Sequence, residues 1–263
     1  MELLDVLRLQ LEWGADEAYA DAPQDRRVSA PPPAHTERMA AAPRPAAMPA
    51  LPPGPAEAAR IAAACHSLDE LRAALDAFTG CALRDTATQL VFADGNPDTN
   101  LILIGEAPGG EEDRAGCPFV GPAGQLLDKM LASIGLDRTK LRIINVVPWR
   151  PPGNRTPTDN EIAVCLPFLH RHIALIRPSC LVLLGAVAAK AMLPDPQRGQ
   201  GIRRVRGHWV PVPVTGLENP LPCLPTFHPA YLLRTPAEKR QSWTDLLTLR
   251  EHLENINTRS QKL

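Results

Sequence analysis

No Cys-x-x-Cys pair occurs in this chain of 263 residues, although six cysteines are present. The ligand spacing of an ordinary zinc site is therefore missing. Glycine shows no period, which excludes a collagen-like chain. No long uncharged apolar run exists, which excludes a membrane-spanning helix. Residues 1–13 carry Asp5, Arg8 and Glu12 and no apolar core, so they do not read as a secretory signal. Neither sign of charge dominates, with 28 Lys and Arg against 29 Asp and Glu and a net charge of −1. A histone-like polycation is excluded, and any contact with nucleic acid has to come from a local patch. Aromatic residues are scarce at 4%.

Proline is plentiful, at 29 residues, and its placement divides the chain. Residues 19–64 hold ten of the prolines and sixteen alanines, with almost no bulky apolar side chains. Such a stretch buries too little surface to offset the entropy of ordering it. The expected organisation is an N-terminal helix over 1–18, a disordered Pro/Ala-rich linker over 19–64 and a catalytic domain over 65–263. Leu3, Leu4, Leu7, Leu9, Leu11 and Trp13 suit a helix that docks on a protein partner, or a frayed end without a task. Residues 1–64 carry a net charge of −3 and the remainder +2. The densest basic segment is Arg203-Arg204-Val205-Arg206-Gly207-His208-Trp209, either a nucleic-acid contact or a solvated edge. With no signal peptide and scattered cysteines, the expected setting is a bacterial-type cytoplasm, with reduced thiols and association with the nucleoid.

From Ser67 onward, short apolar runs alternate with helical patterns. Leu101–Gly105, Arg142–Val147, Cys180–Gly185 and Cys223–Phe227 suit buried strands. Helical periodicity covers Gly121–Ile134, Thr158–Ile176, Ala186–Leu193 and Ala237–Leu253. This alternation predicts an α/β fold: three α/β/α layers around a central, mostly parallel, four-stranded sheet. Ligands of such sheets gather at the carboxyl ends of the strands.

Each of those ends carries an unusual loop. Gly105-Glu106-Ala107-Pro108-Gly109 follows the first strand. It lacks a Gly-x-Gly-x-x-Gly pattern, and Glu111–Asp113 would repel a pyrophosphate, which disfavours a nucleotide cofactor. Phe119, one of five phenylalanines, lies in the turn Cys117–Gly121 and offers a flat face to a planar ligand, or plugs the local core. Asn145 ends the second strand and is able to donate and accept at one amide-like edge. Behind it, Arg150-Pro151-Pro152-Gly153-Asn154-Arg155 holds two arginines on a stiff loop. His228-Pro229-Ala230-Tyr231-Leu232-Leu233-Arg234 follows the last strand, with a histidine suited to stabilising negative charge and an apolar tip suited to wedging into stacked bases.

Taken together and in this order, these motifs resemble family 4 of the uracil-DNA glycosylase superfamily over residues 66–253. The resemblance implies a hydrolase that excises flipped-out uracil from DNA in base excision repair and acts as a monomer. It implies Glu106 and His228 as catalytic residues, Ala107, Phe119 and Asn145 around the base, and Arg150, Arg155, Leu232 and Arg234 against the DNA. A DNA-binding relative without activity and a nucleoside hydrolase on the same scaffold are the alternatives. Family 4 enzymes are similar in holding a 4Fe-4S cluster on four cysteines. Here Cys81 and Cys165 match two of those positions, while Phe78 and Trp149 replace the other two. The expectation is a chain without a metal or cofactor, the alternative being a cluster with non-standard ligands.

Overall fold

The computed structural model describes residues 53–260. The expected helix over 1–18 and the linker as far as residue 52 lie outside the described residues. Six strands form one sheet: β1 (Asp94–Gly95), β2 (Leu101–Gly105), β3 (Arg142–Asn145), β4 (Cys180–Leu184), β5 (Val210–Val212) and β6 (Leu221–Thr226). Ten α-helices surround it among the described residues: α1 (Pro55–Ala64), α2 (Leu68–Ala77), α3 (Leu83–Thr86), α4 (Gly110–Ala115), α5 (Pro122–Ala132), α6 (Asp159–Ile176), α7 (Ala186–Met192), α8 (Ile202–Val205), α9 (Pro229–Arg234) and α10 (Lys239–Ser260).

The strand order is β1-β3-β2-β4-β6-β5, with the four inner strands parallel. Those inner strands are the four expected from the apolar runs. The two edges, β1 and β5, run antiparallel and raise the strand count from four to six. Both escape a reading by hydrophobic pattern for a physical reason. β1 is two residues of Asp-Gly, and β5 is Val-Pro-Val, whose proline is tolerated only where no inner ladder needs its amide.

Alternation along β2 shows how the sheet makes two cores. Ile102 and Ile104 point to one face, with Ile144, Leu181 and Leu183, and pack under α1, α2, α6 and α7. Leu101 and Leu103 point to the other, with Val182 and Leu224, and meet Leu127 and Leu131 of α5 and Leu246 and Leu249 of α10. Burial on both faces explains why these strands read as continuous apolar runs.

The boundary between linker and domain needs correction. Residues 55–64, expected in the linker, form α1, whose Ala58 and Ala62 are buried against α6. Alanine is the strongest helix former, and its small side chain allows close helix approach. A criterion based on bulky side chains misses both properties.

At the end of β6, Thr226 donates to Asp245 of α10 (2.6 Å), and Asp245 is also gripped by the Arg206 guanidinium. Burial raises the Asp245 carboxyl above the usual range despite these partners. The basic segment around Arg206 is therefore partly structural: Arg206 is spent on Asp245 and Gln241.

Candidate active site

A cleft of about 430 Å³ opens at the carboxyl ends of the parallel strands. Parallel register puts Gly105 of β2 directly beside Asn145 of β3. Glu106, Ala107, Phe119, Asn145, Arg155, His228 and Arg234 all line the cleft, so seven of the nine expected site residues converge. Glycine at 105 is a matter of space. A Cβ there would fall on the Asn145 Oδ1 atom and within 2.7 Å of the Phe119 ring. Asn145 is buried, and its Oδ1 has no protein partner. An orphaned buried acceptor is costly unless a ligand satisfies it.

His228 caps the first turn of α9. Its Nδ1 accepts from the Ala230 amide (3.1 Å), so the proton of the neutral ring sits on Nε2. Burial, aided by the Arg234 charge, pulls the imidazole down to about 4. The ring is accordingly a neutral donor at pH 7. It lies 5.5 Å from the Phe119 ring, inclined by 29°. Gly185, at the end of β4, has φ +94°, and a Cβ there would meet the His228 Cβ at 2.8 Å. The backbone is thus pressed against the imidazole.

Glu106 is pushed above the ordinary carboxylate range by burial, which a hydrogen bond with Thr156 and the charge of Arg234 oppose. Thr156 and Tyr231 also line the cleft and were not singled out from sequence. Thr156 follows the Arg-Pro-Pro-Gly-Asn-Arg run directly, and that adjacency was its only signal. Tyr231 receives a hydrogen bond from Arg203 (2.6 Å) and packs on Phe227, 5.1 Å between ring centroids.

Two of the expected DNA contacts are placed elsewhere. Leu232 is 1% exposed and packs in the groove between α5 and α10, whereas Leu233 is 44% exposed. One residue of helix turns the side chain by about 100°, so the apolar tip is Leu233. Arg150 does not line the cleft; it lies over Gly110 and donates to Asn154 (2.8 Å). Arg155 reaches the rim, but its fork closes on Glu161 at 2.6 and 2.8 Å and holds that carboxyl down to about 2. Arg234 has no such carboxylate partner and is exposed at the mouth.

Residues 92–247 match the family model of the Uracil DNA glycosylase superfamily. The chain is similar to the Type-4 uracil-DNA glycosylase of Thermotoga maritima, at 44% identity over 59% of this chain and 78% of the relative. The enzyme of the same description from Pyrobaculum aerophilum is 38% identical over 63% and 84%. That of Archaeoglobus fulgidus is 38% identical over 71% and 93%.

This kinship corrects the expectation of a chain without a cofactor. Type-4 glycosylases are known as a family that carries a 4Fe-4S cluster, and the cluster is the family's default. The side chains at the matching place fit it only in part. Cys81 and Cys165 supply two hydrogen-bonded thiols, with Cys165 pushed up and Cys81 down. Phe78 and Trp149 are buried there, Phe78 edge-on to Phe168 at 5.0 Å, and supply no ligand. A complete set has one protein ligand on each iron, and Cys81 and Cys165 supply two.

Proposed function

Because the chain belongs to the Uracil DNA glycosylase superfamily, its reaction is hydrolysis of the N-glycosidic bond of uracil in DNA, and we propose that Phe119, Asn145, His228 and Glu106 divide that work. The base has to leave the stack before its bond can be attacked. Phe119 covers the face of the extruded uracil. Asn145 accepts from N3–H and donates to O4, an edge on which cytosine presents the opposite pattern; a mismatched buried pair costs about 1–3 kcal/mol per group. The orphaned Asn145 Oδ1 beside Gly105 is the single observation that carries this reading.

As the C1′–N1 bond breaks, its electron pair stays on uracil. The neutral His228 donates Nε2–H to the resulting anion without bringing a net charge. Glu106, with Thr156 as its partner, positions the water that adds to C1′ and accepts its proton. Ala107 lines the wall without a water-orienting group, which leaves that task to Glu106. Arg234 at the mouth meets a phosphate, and Leu233 fills the vacated stack. Arg155 takes part in phosphate contact only through what its pairing with Glu161 leaves open.

The measurement that tests this is release of free uracil from an oligonucleotide with a single uracil. Asn145→Ala is expected to lower kcat/KM by about 10²- to 10³-fold while affinity for uracil-free duplex stays the same. Unchanged excision by this variant would remove the proposed reader. Leu233→Ala is expected to cost about tenfold on duplex substrate and little on single strands, where nothing has to be unstacked. Leu232→Ala should instead destabilise the fold by about 2–4 kcal/mol and leave the activity per folded molecule intact. An equal loss from both variants on duplex would refute the assignment of Leu233.

We further propose that the enzyme acts as a monomer in the cytoplasm, at the nucleoid, with residues 1–18 as the contact for a protein partner. None of the six cysteines is paired in a disulfide, which suits a reducing compartment. No helix among the described residues is long and apolar enough to cross a membrane.

A further inference from the structure

Phe119 is one of three non-glycine residues with a positive φ among the described residues, at +57°. That conformation is uncommon for a residue with a Cβ and persists only where the surroundings hold it. Two charged side chains from different parts of the fold hold the peptide groups on either side of it. Arg138 donates to the Pro118 carbonyl (3.1 Å) and to the Phe119 carbonyl (2.5 Å). Its remaining bonds go to Asp128 of α5 (2.8 Å) and Asp94 of β1 (2.5 Å), so the fork is fixed from both sides. Glu112 of α4 accepts from the amides of Val120 (3.1 Å) and Gly121 (2.9 Å) with one oxygen, and from Gly109 (3.1 Å) with the other. A third restraint is steric: a Cβ at Gly124 would fall on the Phe119 carbonyl.

We propose that Arg138 and Glu112 are positioning residues for base recognition, a carbonyl clamp and an amide clamp that together hold Phe119 in its left-handed conformation and its ring in the cleft wall. The inference rests on the reading of Phe119 as the residue that covers the uracil face. Charge-assisted bonds are about twice as strong as neutral ones, and here they are concentrated on four consecutive residues, 118–121. Arg138 does not line the cleft, so its effect on the base passes through Phe119. Glu112 does line the cleft, but its oxygens are taken up by three backbone amides.

The test is a double-mutant cycle on the full chain, with two readouts: inhibition by free uracil and affinity for a duplex carrying an abasic site. Phe119→Ala is expected to weaken uracil binding about tenfold and leave the abasic duplex within about twofold. Arg138→Met and Glu112→Gln should reproduce that split. Combined with Phe119→Ala, neither should weaken uracil binding further, because they act through the ring already removed. Arg138→Lys, which keeps the charge and loses the fork, should not restore affinity. Should Arg138→Met fold poorly, Glu112→Gln and Asp128→Asn test the same loop with smaller perturbations. If Phe119→Ala weakens uracil binding and the clamp variants do not, or if the losses add in the doubles, the clamp is refuted. If Phe119→Ala itself has no effect on uracil binding, it is the stacking role of Phe119 that fails, and the clamp falls with it.

Discussion

Replacing His228 by alanine is expected to lower kcat by about 10²- to 10³-fold, the usual cost of removing one donor aimed at a developing negative charge. KM should change little, since the interaction strengthens only as the bond breaks. The ionisation of His228 adds a second signature. With its imidazole held down to about 4, the ring stays neutral across the working range. No acid limb between pH 5 and 7 should then come from this residue. Any acid limb should come from Glu106, whose carboxyl burial pushes above the ordinary carboxylate range, and should disappear in Glu106→Gln. Folding stability depends on the same imidazole. Below about pH 6.5 the unfolded chain protonates this imidazole and the folded chain does not, so stability falls as the pH drops toward 4. Between pH 7 and 5 the loss due to His228 is about 2 kcal/mol. Denaturant unfolding at the two pH values should show a smaller difference in His228→Ala than in the parent. An unchanged difference would mean that the imidazole is not buried in its neutral form.

Gly105→Ala is the second substitution with a large expected effect. One added methyl would have to share its place with the Asn145 Oδ1 atom and the Phe119 ring edge. Neither side can yield without spoiling recognition, because the two groups are the proposed floor and face of the base site. Excision is expected to fall by more than about 10³-fold, a loss above about 4 kcal/mol. Affinity for an abasic-site duplex, which places no base in the cleft, should survive within a few-fold. Retained excision together with a retained melting temperature would show that the base does not occupy the space beside Gly105.

The inner sheet was legible because strands buried on both faces lose their polar alternation, and Leu101–Gly105 and Cys180–Leu184 show this plainly. The loops were legible because chemistry confined to strand ends leaves rare residues there: an Asn closing β3, a His-Pro after β6, a Phe outside any periodic segment. What stayed hidden has physical reasons of its own. Val210-Pro211-Val212 carries a breaker that only an edge tolerates. α1 is written in alanines, which signal disorder by bulk and helix by propensity. The exchange of Leu232 for Leu233 turns on about 100° of rotation, less than a run of apolar letters specifies. Arg138 forms part of no motif and Glu112 only accompanies the Gly105–Gly109 loop, and the importance of both depends on contacts across 8 to 20 residues of sequence. Their nearest signal was the position of Glu112 three residues after Gly109, where a side chain reaches back to the start of its own helix. The cofactor expectation failed differently. Phe78 and Trp149 at two of the four cysteine positions point away from a cluster, whereas the kinship with Type-4 glycosylases points toward one.

Asp245 links matters of mechanism to matters of motion. It sits on the last helix, yet it grips Thr226, two residues before the His228 imidazole, and the guanidinium that steadies the preceding turn. A helix fastened at that point is unable to fray on its own without freeing the end of β6. The amides of Thr226 to His228 and those of the α10 segment around Asp245 should therefore exchange with solvent as one cooperative unit, at one free energy. The lifetime of an intact cleft is then set by the undocking of a helix that does not line it.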